Sequence, residues 1–229
     1  MDFFTITANE LTAVWLSVKV ALLCSVLSLP LAVAAGWLLA RRQFKGKIFI
    51  NGIIHLPLVI PPVTIGFLLL MIFGVNGWLG QWLYSFFGIR IAFTFVAAVM
   101  AAMVVSFPLV VRSVKVAFEM IDPHYEEASR TLGAGPWSTF FRVSFPLAYP
   151  GILSGFILAF ARSLGEFGAT IVFAGNIQGI TQTLPLAIYC FMEIPGQELA
   201  AVRLVLFSIV ISLAAMAGSE WLNLKITQK

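Results

Sequence analysis

The sequence predicts an all-α integral membrane protein with five transmembrane helices, its N-terminus outside and its C-terminus inside. Three observations carry this. Apolar residues make up 60% of the chain and charged residues only 10%, where a soluble domain carries about a quarter. Five apolar stretches each exceed the roughly 20 residues that a helix needs to cross a bilayer. Basic residues crowd alternate connections between those stretches, the pattern that orients membrane proteins. A mean hydropathy of +0.99 agrees. The chain reads as one transmembrane domain over residues 1–229. Its net charge of +4 matters for where it falls and gives no reason to expect nucleic acid.

The first span, Leu11–Ala40, is long enough to tilt or to project beyond the bilayer. Met1-Asp2-Phe3-Phe4 lacks a basic n-region, and the apolar run is too long for a signal peptide. Arg41, Arg42, Lys45 and Lys47 lead into the second span, Ile48–Phe73, where Pro57, Pro61 and Pro62 cluster. Each proline removes a backbone donor and kinks a helix. Such breaks persist in lipid only where protein or a water-lined cavity satisfies the freed carbonyls. Static kinks are the plainer alternative, but this density favours a helix lining a pathway, with Pro61 and Pro62 as candidates. The next link, Gly74–Arg90, holds Arg90 as its one basic residue, and Trp78–Phe87 reads as a short interfacial helix or re-entrant piece.

The third span, Ile91–Phe118, is interrupted by Pro108, as the first is by Pro30. A polar island follows at about 119–146, surrounded by Arg112, Lys115, Arg130 and Arg142. The fourth span is Leu147–Ala174. The link after it, Gly175–Leu199, carries Glu193 and Glu198 and neither Lys nor Arg. The fifth span, Ala200–Leu222, precedes Lys225 and Lys229, while Asp2 and Glu10 lie in the N-terminal tail. All three basic clusters then share the cytoplasmic side.

Trp15, Trp78, Trp82 and Tyr84 fall near outer ends, with Trp37 and Trp221 near inner ends, as an aromatic belt would. Two small-residue stripes, Gly151/Gly155/Ala159/Ser163 and Ser208/Ser212/Ala215/Ser219, permit close helix approach. Packing within one subunit explains them at least as well as a dimer seam. Cys24 sits in a span and Cys190 in a later loop, with no CxxC or metal spacing, so both read as packing residues. No metal site, bound cofactor or catalytic grouping is expected, and GxxxxGK[ST] is missing, so the chain is no ATPase by that signature.

The island has its own helix signals. Asp122 caps and Pro123 opens a helix. Glu126 and Glu127 lie near its positive end, and Glu126 stands four residues before Arg130 in the favourable order. Gly133 or Gly135 ends it, and Pro136 starts another helix bearing Trp137, Phe140 and Phe141. Two short surface helices result. A membrane-surface pair without a partner and a docking surface remain equally open on this ground.

Glu127, Ala128, Gly133 and Pro146 match a spacing that resembles the cytoplasmic loop of importer-type ABC permeases. That loop reads Glu-Ala-Ala, three residues, Gly, nine residues, Ile-x-Leu-Pro; here Ser129, Val143 and Phe145 depart from it conservatively. The resemblance implies a type I importer fold and a coupling helix seated on a separate ATPase subunit, with contact running from Glu127 to Gly133. A second likeness narrows the substrate. Phe160-Ala-Arg-Ser-Leu-Gly-Glu-Phe-Gly-Ala-Thr170, Asn176-Ile, Thr183-Leu-Pro185, Arg41-x-x-Phe-x-Gly46, His55-Leu-Pro-Leu and Arg130-Thr-Leu-Gly-Ala-Gly resemble molybdate importer permeases over most of the chain. Sulfate permeases share the Leu-Gly-Glu core, and tungstate importers would look alike. The resemblance implies a homodimer in the bacterial inner membrane, two ATPase subunits that use ATP, and an external molybdate-binding protein. A passive anion channel is the competing class, and it would not need the island.

Arg162 and Glu166 lie four apart on the fourth span. An ionisable residue at depth is a functional candidate by default, but mutual neutralisation beside Gly165 and Gly168 is favoured, since a free carboxylate would repel an oxyanion. Neutral donors such as Ser163 and Thr170, or backbone N–H groups at broken helices, suit the pathway better. Lys19 reads as snorkelling, Arg112 and Lys115 as inner-surface anchors, and His55 as helix packing; Arg203, near the outer end of span five, could attract an anion, but an interfacial anchor is favoured.

Overall fold

The computed structural model describes residues 6–227, with side chains through Gly218. Asp2 and Lys229 therefore lie outside the described residues, as do the side chains of Ser219, Trp221 and Lys225. Every regular element among the described residues is a helix. The first, α1 (Ala8–Arg41), opens with a reciprocal cap: Glu10 N–H donates to Thr7 Oγ1 at 3.3 Å and Thr7 N–H to Glu10 Oε2 at 2.9 Å. At 1.5 Å per residue it is about 50 Å long, well beyond the roughly 30 Å hydrocarbon core. It runs on through Pro30, as α5 does through Pro108.

The second expected span is not one rod. It divides into α2 (Lys47–His55), a 3-10 turn (Leu56–Leu58) and α3 (Pro62–Phe73), bent by 109° at the break. The cause is the proline cluster: Pro57, Pro61 and Pro62 cannot donate, and their rings obstruct the preceding turn. The described residues thus hold four unbroken helices long and apolar enough to cross a membrane, or five where this bent pair is counted as one span. The short helix expected in the following link is α4 (Gly80–Phe87), which ends at Gly88 with φ +65° and exposes Trp82, Phe86 and Phe87.

Helix α5 (Phe95–Glu119) is the axis of the bundle and the most buried span. Thr94 Oγ1 caps it by accepting Ala97 N–H at 3.4 Å. After α6 (Pro123–Thr131) comes α7 (Pro136–Thr139), a π turn (Phe140–Ser144) and α8 (Phe145–Leu164), continuous from Pro136 to Leu164. The island's second helix is therefore the start of the fourth span, not a separate surface helix. Pro146 lacks an N–H, and the π turn before it absorbs the disturbance: Phe145 N–H reaches back to Phe140 O. That span also ends earlier than expected, at Leu164, and restarts as α9 (Gly168–Phe173). The link then contains α10 (Leu184–Glu193), which places Cys190 on a helix rather than a loop, and α11 (Glu198–Thr227) closes the chain.

Helices α1, α5 and α8 pack through their small residues. A Cβ on Gly36 would meet Val114 at 2.7 Å, one on Gly151 would meet Ala117 at 2.3 Å, and one on Gly155 would meet Val110 at 3.2 Å. The first stripe is thus internal packing. Around this seam Ala32, Leu39, Val110, Val111, Val114 and Phe118 form a closed core. A second core joins α3, α5 and α9 through Ile65, Leu69, Ala102 and Phe173. A third, smaller one holds α10 and α11 against α1 through Ala13, Leu184, Ala187 and Leu204.

Candidate functional site

Two regions carry the expected site residues: the loop at the basic end, and the chain breaks inside the bundle. In the loop, Asp122 Oδ1 accepts His124 N–H at 2.9 Å and Pro123 fills the first helical position. Gly133 ends α6 with φ +86°, a conformation that favours glycine. The hydroxyls of Ser129 and Thr139 meet at 3.1 Å and tie α6 to α7.

The two neighbouring glutamates point opposite ways. Glu127 is exposed, with His124 Nδ1 3.2 Å from its carboxylate. Glu126 faces the bundle; it pairs with Arg130 four residues on, at 3.9 Å, and more closely with Arg41, whose Nε lies 3.1 Å from its other oxygen. Ser144 donates to the same Glu126 oxygen at 2.8 Å, and Arg41 Nη2 donates to Ile121 O at 3.1 Å. Arg41 gave no sign of this in the sequence beyond its place in a basic link, because its partner is 85 residues away.

Phe140 also turns inward, with its ring 5.7 Å from Trp37 and 6.1 Å from Phe118. Trp37, half-buried, thus packs against the loop. Outward, the loop presents Tyr125, Leu132, Trp137 and Phe141, with Leu132 89% exposed and Trp137 77%. Together with Glu127, Ala128 and Arg130, all exposed, they form an apolar surface with mixed charge, as protein interfaces do. Nearby, Lys115 pairs with Glu119 at 3.6 Å, and Arg112 lines a cleft of about 720 Å³ between α5 and α8.

Inside the bundle the two chain breaks meet. A Cβ on Gly168 would lie 2.9 Å from Pro62 Cβ, and one on Gly66 would lie 2.6 Å from Ala169 O. Pro61 and Gly165 are exposed at these breaks. Glu166 is 3% exposed; it pairs with Arg162 at 2.8 Å and accepts Ala169 N–H at 2.9 Å, capping α9. Ser163 and Thr170 are 5% and 1% exposed, so in this conformation they face the interior of the chain. Ser163 Oγ lies 3.0 Å from Cys24 Sγ, itself 3.2 Å from Ser106 Oγ.

Two other expectations change. Arg203 is not an interfacial anchor: it is 5% exposed and paired with Glu10, which is fully buried rather than part of an outer tail. Lys19 is exposed and sits 5.1 Å from the centre of the Trp15 ring, consistent with snorkelling. His55 Nδ1 is 2.8 Å from Asn51 O, a packing contact within α2.

Long apolar helices, a span broken by prolines and a solvent-facing loop with its own caps define a multi-pass membrane protein. The chain belongs to the family of binding-protein-dependent transport system inner membrane components, whose model matches residues 30–228. It is 51% identical over 220 residues to the molybdenum transport system permease protein ModB of Haemophilus influenzae, covering 96% of each chain. The protein of the same name from Escherichia coli K12 is 49% identical over 217 residues, covering 95% of each. Among solved structures, the fold is similar to a chain of a bacterial ABC transporter involved in alginate import. The TM-score is 0.77 at 15% identity, over 97% of this chain and 81% of that one.

Proposed function

We propose that this chain is the permease subunit of an ABC importer that carries molybdate across the inner membrane. The observation that carries the substrate is the 51% identity to a molybdenum permease across 96% of both chains. The exposed loop supports the dependence on another subunit: Leu132, Trp137 and Phe141 are apolar, solvent-facing and grouped around Glu127. A patch of that kind calls for a partner.

In this reading two copies form the pathway, and the basic end faces the cytoplasm by its charge. Two ATPase subunits dock on the loops from Glu127 to Gly133, and an external binding protein delivers the oxyanion. ATP binding draws the ATPases together, the loops move with them and the pathway opens outward; hydrolysis resets it. This chain binds no cofactor, and ATP is used by its partner. The exposed breaks at Pro61 and Gly165 are the candidates for the lining of the pathway, since interrupted helices persist in lipid where they border a cavity. Glu166 stays paired with Arg162 and holds α9 in place.

The test is reconstitution of the chain with its ATPase and binding protein in vesicles containing ATP. Labelled molybdate should enter only with ATP, and sulfate in excess should compete weakly. Equal competition by sulfate would shift the substrate, while conduction of anions by the chain alone would overturn the importer reading.

A further inference from the structure

The docking surface of the loop ends at Glu127, yet the neighbouring carboxylate looks inward and is shared by three separate elements. Glu126 belongs to α6, Arg41 is the last residue of α1, and Ser144 closes the π turn that enters α8. We propose that Arg41 is a positioning residue that locks α1 to the coupling loop, so that motion arriving at α6 is delivered to α1 as well as to α8. The inference rests on the docking role proposed above.

The geometry separates this contact from an ordinary surface ion pair. Exposed pairs contribute little because water and salt screen them. Here the side chains are only 15% and 13% exposed, with Nε 3.1 Å from the carboxylate. The same guanidinium donates through Nη2 to Ile121 O at 3.1 Å, so it touches both α6 and the segment leading into it. The contact with Glu126 is ionic, since Nε makes no hydrogen bond there, and Nη2 makes the hydrogen bond to Ile121 O; a lysine ammonium keeps the charge but does not reach both groups in the same way. Loop and α8 are held together independently of Arg41, by Ser129 with Thr139 and by Ser144 with Glu126. Between α1 and the loop the corresponding polar contacts both come from Arg41, helped by the packing of Trp37 on Phe140. Removing the guanidinium would leave α6 attached to α8 while loosening its grip on α1.

The experiment uses the full chain assembled with its ATPase and binding protein in vesicles. Arg41→Gln, Arg41→Lys, Glu126→Gln and the Arg41→Gln/Glu126→Gln double variant are compared with the native chain. Two quantities are read: labelled molybdate taken up per ATP hydrolysed, and the distance between spin labels at Leu38 on α1 and Thr131 on α6 through the nucleotide cycle. Arg41→Gln should keep the ATPase bound and active, yet lower uptake per ATP by about tenfold, within the usual range of coupling between sites. Glu126→Gln should act alike, and the double variant should lose little more than the worse single, because both remove one contact. Lysine should restore part of the loss. The label distance should hold constant through the cycle in the native chain and change in Arg41→Gln.

Normal uptake per ATP in Arg41→Gln, independent losses in the double variant, or an unchanged label distance would each overturn the proposal. A merely destabilising role would reduce the amount of assembled complex and leave the ratio alone. Native complex that hydrolyses ATP without taking up molybdate would instead count against the substrate. In that case the label distance still decides the role of Arg41.

Discussion

Glu10 and Arg203 form an ion pair buried inside the protein, joining the first turn of α1 to the start of α11 across 193 residues of sequence. Glu10 is fully buried and Arg203 5% exposed. Each therefore depends on the other, since removing one partner strands a charge. Arg203→Ala should lower stability by about 3–5 kcal/mol, whereas replacing both with apolar residues of similar size should recover most of it. Thermal unfolding in detergent, followed for both single variants and the Glu10→Leu/Arg203→Met pair, checks this. A pair less stable than either single variant would refute it.

That pair also marks where sequence reading stopped. Spans one, three and five follow from apolar length alone, and their bounds in the structure differ by a few residues. The helix start at Asp122-Pro123, the stop at Gly133 and the restart at Pro136 are local signals, legible because caps and turns depend on neighbours in the chain. The pairing of Arg203 with Glu10, and of Arg41 with Glu126, depends on which helices come together, and no local pattern encodes that. The breaks were legible as prolines and glycines. Their meeting, Pro62 against Gly168, was not, and nor was the 109° bend between α2 and α3.

At the junction of α3 and α9 the backbones nearly touch. A Cβ on Gly66 would lie 2.6 Å from Ala169 O and 2.9 Å from Ala169 Cα. Backbone atoms cannot swing aside as a side-chain tip can. Gly66→Ala should destabilise the protein by about 1–3 kcal/mol through overpacking. Gly165→Ala, where no atom lies within 4 Å, should be nearly neutral. Melting temperatures of the two variants side by side give the answer, and equal values would exclude a close α3–α9 contact.

On the loop, charge and backbone act separately. Glu127 is exposed and contacts only His124 among the pairs described, so Glu127→Lys should insert and fold normally but fail to retain the ATPase. Gly133 has φ +86°, and Gly133→Val should add roughly 1–2 kcal/mol of backbone strain and distort the docking turn. Both variants should abolish uptake while membrane levels stay close to native. Co-purification of the ATPase at native yield with either variant, together with full uptake, would remove the loop from the coupling path.

Arg162 and Glu166 distinguish a structural carboxylate from one on the path. Glu166 bonds Arg162 at 2.8 Å and caps α9 through Ala169 N–H at 2.9 Å. Arg162 keeps about a third of its side chain exposed, 32% against 2% for Glu166, so it can rehydrate when the carboxylate goes. Glu166→Gln preserves an oxygen for the cap and removes the charge. The expected loss is about 1–3 kcal/mol, the scale of one charged hydrogen bond, with molybdate affinity unchanged. Glu166→Ala loses the cap as well and should be worse by about 1 kcal/mol. If the carboxylate instead met the passing anion, Glu166→Gln would relieve repulsion and change the concentration dependence of uptake, without following stability. Measuring unfolding and half-saturation of uptake on the same preparations separates the two, because a structural role moves the first and spares the second.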